Sequence, residues 1–243
     1  MLKAFAGGRL FGSLHGTPPP RVLALHGWGR TSRDFDGVLA GCDAVALDLP
    51  GFGATPPPPE PWGAAAYASA VAEVVDEPVV VVGHSFGGRV AVHLAASRPE
   101  LVRALVLTGV PLLRPPGAVR RKPAWQFRLG RALHRRGLVG DARMETLRGR
   151  YGSADYRAAQ GIMRAVHVVA VNETYEEQLR ALRCPVELVW GEGDTDVPLS
   201  VATAAASLLA DATVTVLPGV GHLVPTAAPA DLRAAITRAV RST

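Results

Sequence analysis

Residues 79–90, VVVVGHSFGGRV, set four consecutive valines before a histidine, a serine and a group of closely spaced glycines. The valines predict a short buried strand, and residues 86–97 are predicted to be a helix. Residues 83–87 fit the pattern G-x-S-x-G at the junction of the two elements. In that pattern the serine occupies a sharp, strained turn, and the small residues beside it let other backbone segments approach. The stretch therefore predicts a reactive serine, Ser85, and an ordinary turn is the alternative interpretation.

Short apolar runs recur along the chain, and each is followed by turn residues and then by a segment of helical length. Besides the quoted stretch, the runs are RVLALHG (21–27), DAVALDLPG (43–51), LVRALVLTG (101–109), CPVELVWG (184–191) and ATVTVLPG (212–219). This alternation predicts an α/β fold in which a mostly parallel sheet has helices on both faces. A hairpin is predicted around Gly7 and Gly8. Helices are predicted at residues 31–40, 63–76, 86–97, 199–209 and 226–241.

The regular alternation stops after Val110 and resumes at Pro185. The sequence between these points is rich in arginine and partly helical in pattern. A structureless loop of that length is improbable in a compact domain, so the segment is better explained as an insertion. We therefore predict a helical cap at residues 112–184, inserted into a core formed by residues 1–111 and 185–243.

A serine hydroxyl is a weak nucleophile unless a base accepts its proton and an acid orients that base. The chain supplies one candidate for each role beyond Ser85. Asp194 follows the apolar run PVELVW, and His222 follows the run ATVTVL. Both are therefore expected at the carboxyl ends of strands, as Ser85 is. The sequence predicts Ser85 as nucleophile, His222 as general base and Asp194 as the orienting acid.

Asp196 is a close rival of Asp194, since only one threonine separates them. We prefer Asp194 because it ends the tight turn at residues 191–193, whereas Asp196 precedes the Val-Pro pair that enters the next helix. His26 and His84 are assigned structural roles, the first in holding loop backbone and the second in packing. The remaining histidines occupy no loop position equivalent to that of His222: His15, His93, His134 and His167.

Acyl transfer also requires hydrogen-bond donors placed where negative charge develops on the attacked oxygen. Residues 26–29, HGWG, follow a predicted strand and offer such donors. The backbone N–H of Trp28 is predicted to pair with that of Phe86, directly after the serine, to form an oxyanion hole.

The motifs HGWG, DLPGFG, GHSFGG, WGEGDTDVP and GVGHLVP resemble the successive signatures of the α/β-hydrolase superfamily, including its serine, acid, histidine order, and they span residues 21–225. The chain is similar to small bacterial carboxylesterases, to proline iminopeptidase-like enzymes and to meta-cleavage-product hydrolases. The resemblance implies an eight-stranded sheet, a Ser-His-Asp triad, a helical cap after the sixth strand and no cofactor. This chain has serine at position 85, where haloalkane dehalogenases and epoxide hydrolases have an aspartate nucleophile, so those two activities are not expected.

The composition and motifs of the sequence also bear on metal ions, cofactors and cellular location. Cys42 and Cys184 stand in no ligand pattern, so no metal site is predicted. The prolines that follow the glycines of residues 51–53, and the absence of a Lys-Ser/Thr pair after GHSFGGR, exclude the phosphate-binding loops that would indicate a nucleotide cofactor. The chain has no long apolar segment and no secretory signal pattern, which predicts a cytoplasmic protein without stable membrane insertion.

Positive charge is concentrated in one segment. The chain has a net charge of +5 and a pI near 9.8. Residues 114–150 hold eleven Arg or Lys against two acids, giving +9 there and −4 elsewhere. Four apolar residues in this segment share one helical face: Trp125, Leu129, Ala132 and Leu133. We predict that this stripe packs over the active-site cleft with the arginines in solvent, while an anionic substrate or peripheral contact with an acidic membrane surface is the alternative.

The expected function is hydrolysis of an ester, thioester or amide of a small acyl substrate through an acyl-enzyme intermediate. A carboxylesterase-like activity is preferred. An aminopeptidase, an amidase or a C–C bond hydrolase is the alternative within the same fold. A non-catalytic binding protein of this fold is the alternative from another class, and no recognition motif supports nucleic-acid binding.

Overall fold

Eight strands form one sheet in the order β1-β2-β4-β3-β5-β6-β7-β8. The computed structural model describes residues 2–114, 125–140, 142–144, 146–147 and 154–242. The pairs β1–β2 and β2–β4 are antiparallel, and every other pair is parallel. The strands are β1 (Leu2–Phe5), β2 (Leu10–His15), β3 (Val22–Leu25), β4 (Ala44–Asp48), β5 (Val79–His84), β6 (Val102–Thr108), β7 (Val186–Gly191) and β8 (Ala212–Leu217). The predicted amino-terminal hairpin and the mostly parallel sheet are confirmed.

Every residue of β3, β4 and β5 is buried. Parallel strands covered on both faces have continuous apolar sequences, which explains the run of valines in β5. Alternate residues of this strand belong to different cores: Val81 packs with Tyr67 and Leu94, whereas Val80 and Val82 pack with a second cluster. Since side chains alternate across a strand, the two cores lie on opposite faces of the sheet.

The helices cover both faces. They are α1 (Ala64–Ala72), α2 (Phe86–Ser97), α3 (Trp125–Arg135), α4 (Ala154–Ala158), α5 (Gly161–Ala170), α6 (Glu176–Ala181), α7 (Leu199–Ala206), α8 (Val224–Ala227) and α9 (Pro229–Arg241), with short 3-10 turns at Ala6–Gly8, Ser32–Phe35 and Pro99–Leu101. Side chains of α1 and α2 belong to the first core and those of α9 to the second. In the parts of the chain that the structure describes, no helix has the length and apolar character needed to cross a bilayer.

Two helix predictions were wrong in detail. Residues 31–40 contain a short 3-10 helix, Ser32–Phe35, and turns instead of an α-helix. Residues 226–241 are divided between α8 and α9 by Ala228, whose φ of −137° and ψ of 56° are not helical. A residue before a proline is disfavoured in the helical region, and Pro229 therefore starts a new helix.

Between β6 and β7 the described residues contain α3, α4, α5 and α6, and residues 142–144 and 146–147 are helical as well. Met163 and Val166 of α5 and Leu179 of α6 belong to the same core as α2, so these helices pack on the α2 side of the sheet. The division of the chain into a core and a cap at residues 112–184 stays a prediction.

The apolar stripe predicted for α3 was wrong. The helix buries Phe127 and Gly130, whereas Trp125 and Leu129 are 68% and 50% exposed. At Gly130 a Cβ atom would collide with the Leu147 side chain, so the glycine lets the following segment approach the helix closely. The helical period correctly implies one buried face but does not identify which face has a neighbour.

Candidate active site

Ser85 occupies a strained turn between β5 and α2. Its φ of 50° and ψ of −112° are rare for a residue other than glycine. Its backbone N–H donates to the carbonyl of Thr108 at 3.0 Å, which ties the turn to β6. At Gly83 a Cβ atom would collide with the backbone of Gly88, and at Gly87 with the backbone of Leu25. The glycines are thus required for close approach around the serine, as the motif predicts.

Asp194 and His222 are joined by a hydrogen bond of 2.8 Å between Asp194 Oδ2 and His222 Nδ1. The other carboxylate oxygen, Oδ1, accepts the backbone N–H groups of Asp196 at 2.9 Å and Val197 at 2.8 Å. The side chain of Asp194 is 1% exposed and that of His222 is 17% exposed. The structure therefore pairs His222 with Asp194, and the rival Asp196 lies exposed with its backbone supporting the Asp194 carboxylate.

The geometry follows from strand register. In β7 and β8, which are parallel, Gly191 lies beside Leu217, so the loops that carry Asp194 and His222 leave the sheet at the same edge. Gly109, which follows β6, has a φ of 58°, and a Cβ atom there would lie 2.9 Å from the His222 ring. This glycine leaves the space that the imidazole occupies.

The pKa shifts of the pair run in opposite directions. Burial alone lowers the pKa of His222, but the hydrogen bond to Asp194 and the negative charge of that carboxylate raise it above its ordinary value. Burial alone raises the pKa of Asp194, but the hydrogen bonds from His222 and from the backbone of Val197 and Asp196 lower it overall. Asp194 therefore remains ionised at neutral pH, and the imidazole is a stronger base than a free histidine.

Ser85 and His222 line one cavity of about 440 Å³. Trp28 and Phe86 line it as well, and their rings meet edge to face at 5.4 Å. Within the described part of the chain, the backbone N–H groups of Trp28 and Phe86 have no protein acceptor. Both predicted oxyanion donors thus belong to residues that line the cavity and are not used in hydrogen bonds among the described residues, and their role as an oxyanion hole stays a prediction.

Two histidines position the loops around this cavity. His26 donates from Nδ1 to the carbonyl of Gly27 at 2.7 Å and accepts the N–H of Leu49 at Nε2, 3.0 Å away. His84 donates from Nε2 to the carbonyl of His222 at 3.0 Å. Burial, and then the nearby charge of His222, lower the pKa of His84 to about 4. Both remain neutral at neutral pH, and sequence reasoning assigned His84 only a packing role.

Two carboxylates were missed as structural anchors. Asp48 is 4% exposed and accepts the backbone N–H groups of Ser32 at 2.7 Å and Ala54 at 2.8 Å. Glu173 accepts the N–H of Ala64 at 3.1 Å, at the start of α1, and the hydroxyl of Tyr175 at 2.7 Å. The role of Asp48 could have been inferred from the sequence, because this carboxylate ends an otherwise apolar strand. No comparable sequence signal pointed to Glu173. Among the described residues, no three His, Cys, Asp or Glu side chains come together as a group that could hold a metal ion.

Comparison with known proteins agrees with this architecture. Residues 22–235 match the model of the alpha/beta hydrolase family. A lipase of Mycobacterium tuberculosis, LipV, is 48% identical over 96 residues, which cover 37% of this chain and 36% of the lipase. The pimeloyl-[acyl-carrier protein] methyl ester esterase of Chromobacterium violaceum is 32% identical over 227 residues, which cover 84% of this chain and 87% of that protein. The first of these alignments thus spans about a third of its relative's length.

Solved structures support the fold. A thermophilic esterase from Thermogutta terrifontis superposes with a TM-score of 0.72 at 22% identity, covering 100% of this chain and 98% of the esterase. A lipase from Acinetobacter baumannii, described as putative, superposes with a TM-score of 0.72 at 18% identity, covering 100% of this chain and 92% of that one. At these identities the likeness concerns the fold alone. The match of the family model over residues 22–235 shows that the chain belongs to the α/β-hydrolase family.

Proposed function

We propose that this protein is a serine hydrolase that cleaves the carboxylic ester of a small acyl substrate. The observation that carries the proposal is the Asp194–His222 hydrogen bond, set beside a serine in a strained turn on the same cavity. The names of the relatives, a lipase and a methyl ester esterase, support an ester as the substrate.

The chemistry follows from the arrangement of the imidazole. Asp194 engages Nδ1 of His222, which leaves Nε2 to accept the proton of Ser85. The serine oxygen then bonds to the ester carbonyl carbon, and the N–H groups of Trp28 and Phe86 stabilise the negative oxygen. His222 returns the proton to the departing alkoxide. Water, activated by the same imidazole, then breaks the acyl bond to Ser85 and releases the acid.

The cap extends the proposal to the kind of substrate. A groove of about 720 Å³ is lined by Arg131, Arg135 and Arg164, beside Tyr156. Its positive charge favours an anionic group on the substrate or on the molecule that carries it. The methyl ester esterase of C. violaceum is named for a substrate attached to acyl-carrier protein, so an ester on a carrier is one substrate of the kind we propose.

The test combines turnover with covalent labelling. The wild-type protein should hydrolyse a 4-nitrophenyl ester of a short acid and should be labelled by a fluorophosphonate on Ser85, as identified by peptide mass analysis. Ser85→Ala should lose both properties. Ser69→Ala is the matched control, because Ser69 is exposed on α1 and bonds only within its own helix. Undiminished labelling of Ser85→Ala at another residue would exclude the assignment, and a wild-type protein inert to ester, amide and thioester alike would favour a non-catalytic member of the fold.

A further inference from the structure

A histidine of the cap segment lines the cavity that holds Ser85, and the mechanism above does not use it. His167, on α5, is 8% exposed. Among the residues that the structure describes, neither of its ring nitrogens has a hydrogen-bond partner, and both are buried. Its ring packs on that of Trp28 with centroids 5.0 Å apart and planes 36° from parallel. Since Trp28 also supplies a proposed oxyanion donor, His167 lies near the place where the ester carbonyl is expected.

Leaving a buried polar nitrogen without a partner is unfavourable, because it loses its hydrogen bond to water and gains none in return. Such groups are rare in folded proteins and call for a specific explanation. The ring of His167 packs against the aromatic side chains of Trp28 and Tyr156, and His167 also lines the cavity. The cavity is therefore the place from which a partner for His167 can come.

The charge state of His167 limits what that partner can be. Burial lowers its pKa first, the nearby charge of Arg89 lowers it further, and the carboxylate of Asp155 opposes both effects without cancelling them. The ring is neutral at neutral pH, so one nitrogen donates a hydrogen bond and the other accepts one.

A second unused donor belongs to the same cavity. Arg89 projects from α2, one turn after Ser85, and its Nε is buried without a hydrogen-bond partner in the described part of the chain. Another part of its guanidinium is already engaged, because Nη1 donates to the carbonyl of Ala170, and the group lies 5.8 Å from the centre of the Tyr175 ring. A guanidinium nitrogen can only donate. The unsatisfied groups of His167 and Arg89 therefore share a requirement for an acceptor oxygen.

The acidic side chains at the cavity do not provide this acceptor in the described structure, because they accept no hydrogen bond from the ring of His167 or from Nε of Arg89. Asp155 and Asp196 line the cavity, but both residues are exposed and can be hydrated. Leaving them unpaired costs little, and they give no reason to expect a donor on the ligand.

We propose that His167, supported by Arg89, forms a specificity subsite that binds an acceptor oxygen, a ketone or carboxylate oxygen, on the acyl chain of the substrate. This inference rests on the proposed ester hydrolysis and names a feature of its substrate. We assign the oxygen to the acyl chain because the acyl group stays in the cavity through both steps of the reaction, whereas the alcohol departs after the first.

The experiment compares three 4-nitrophenyl esters of equal chain length: hexanoate, 5-oxohexanoate and the adipate monoester. Wild-type kcat/KM should be higher for at least one of the two oxygenated esters than for hexanoate. His167→Phe keeps an aromatic ring beside Trp28 and removes both nitrogens. It should reduce that preference about tenfold, corresponding to ~1.4 kcal/mol, and so lower kcat/KM for the oxygenated ester much more than for hexanoate.

Three further variants test whether hydrogen bonding by His167 causes the effect. His167→Gln retains a donor and an acceptor and should recover part of the preference, which a purely structural role would not produce. His93→Phe is the matched control, because His93 packs against Tyr175 and does not line the cavity. His167→Met replaces the phenylalanine variant if thermal unfolding shows that the latter does not fold.

The outcomes separate this inference from the proposed function. Preference for the ketone alone identifies a neutral oxygen, preference for the adipate ester identifies a carboxylate, and either supports the subsite. Equal kcat/KM for all three esters in the wild type, or an unchanged preference in the folded His167 variant, overturns it while ester hydrolysis stands. Failure of the wild type to cleave hexanoate and both other esters overturns the proposed function and the subsite with it.

Discussion

His84 donates a hydrogen bond from its Nε2 to the backbone carbonyl of His222, 3.0 Å away, and the two rings lie 4.9 Å apart. The residue before Ser85 thus holds the loop that carries the proposed base. Ser85 and His222 are therefore held relative to each other through His84, which is adjacent to Ser85 in the chain and hydrogen-bonded to the His222 backbone.

Replacing His84 by leucine should release this loop and lower kcat more than it raises KM. A lost hydrogen bond of about 0.5–1.5 kcal/mol corresponds to a loss of about two- to twelvefold in rate. His84→Gln, which keeps an N–H donor, should recover part of the loss. Steady-state kinetics on one ester measures both parameters. Equal kcat for the wild type and the leucine variant would show that the bond has no positioning role.

The acid limb of the pH–activity profile should lie above pH 6.5, because Asp194 raises the pKa of His222 above 6.5 despite the opposing effect of burial. The base must be neutral to accept the serine proton, so kcat/KM is expected to rise as pH passes upward through that pKa. Asp194→Asn removes the charge and should move the limb to lower pH.

The same substitution distinguishes the two candidate acids. Asp194→Asn should lower kcat by about 10³- to 10⁴-fold, since the imidazole loses its orienting carboxylate. Asp196→Asn should change kcat less than about tenfold, because its carboxylate is exposed and its contribution to Asp194 comes from the backbone N–H. A larger loss from the Asp196 variant would reverse the assignment.

The positions of Ser85, Asp194 and His222 could be predicted because they depend on local pattern. Each follows an apolar run, and parallel strands place the ends of such runs at one edge of the sheet. The strained turn at Ser85 is likewise specified by the adjacent glycines.

Features that depend on distant partners could not be predicted. The buried face of α3 is set by Leu147 packing against Gly130, whereas the apolar periodicity of the helix favoured Trp125 and Leu129. The place of His167 at the cavity depends on how α5 packs over Trp28, more than a hundred residues earlier in the chain. Hydrophobic spacing carries no information about either neighbour.

Asp48 should be important for stability, because its two carboxylate oxygens satisfy backbone N–H groups in two separate loops. Asp48→Asn leaves one good acceptor and places an amide N–H₂ group against a backbone donor. It should lower the free energy of unfolding by about 1–3 kcal/mol. Urea denaturation measures the change. The control is Asp76→Asn, an exposed position at which a change within about 0.5 kcal/mol is expected. Equal stability of the two variants would contradict the anchoring role.

Glu173 connects the segment after α5 to the amino terminus of α1, where its carboxylate accepts the N–H of Ala64. A negative group at this end of a helix satisfies a free donor and interacts favourably with the helix dipole. Glu173→Ala should therefore lower the free energy of unfolding by about 0.5–2 kcal/mol, and Glu173→Gln by less, since it keeps a carbonyl acceptor. Glu177→Ala, at an exposed position of α6, is the matched control and should cost less than either. Thermal and urea unfolding of the wild type and the three variants measure the order of their stabilities.

Because Glu173 does not line the cavity of Ser85, kcat on a simple ester should be retained in the folded variants. A selective loss of kcat would instead indicate a role in positioning α5 over the active site.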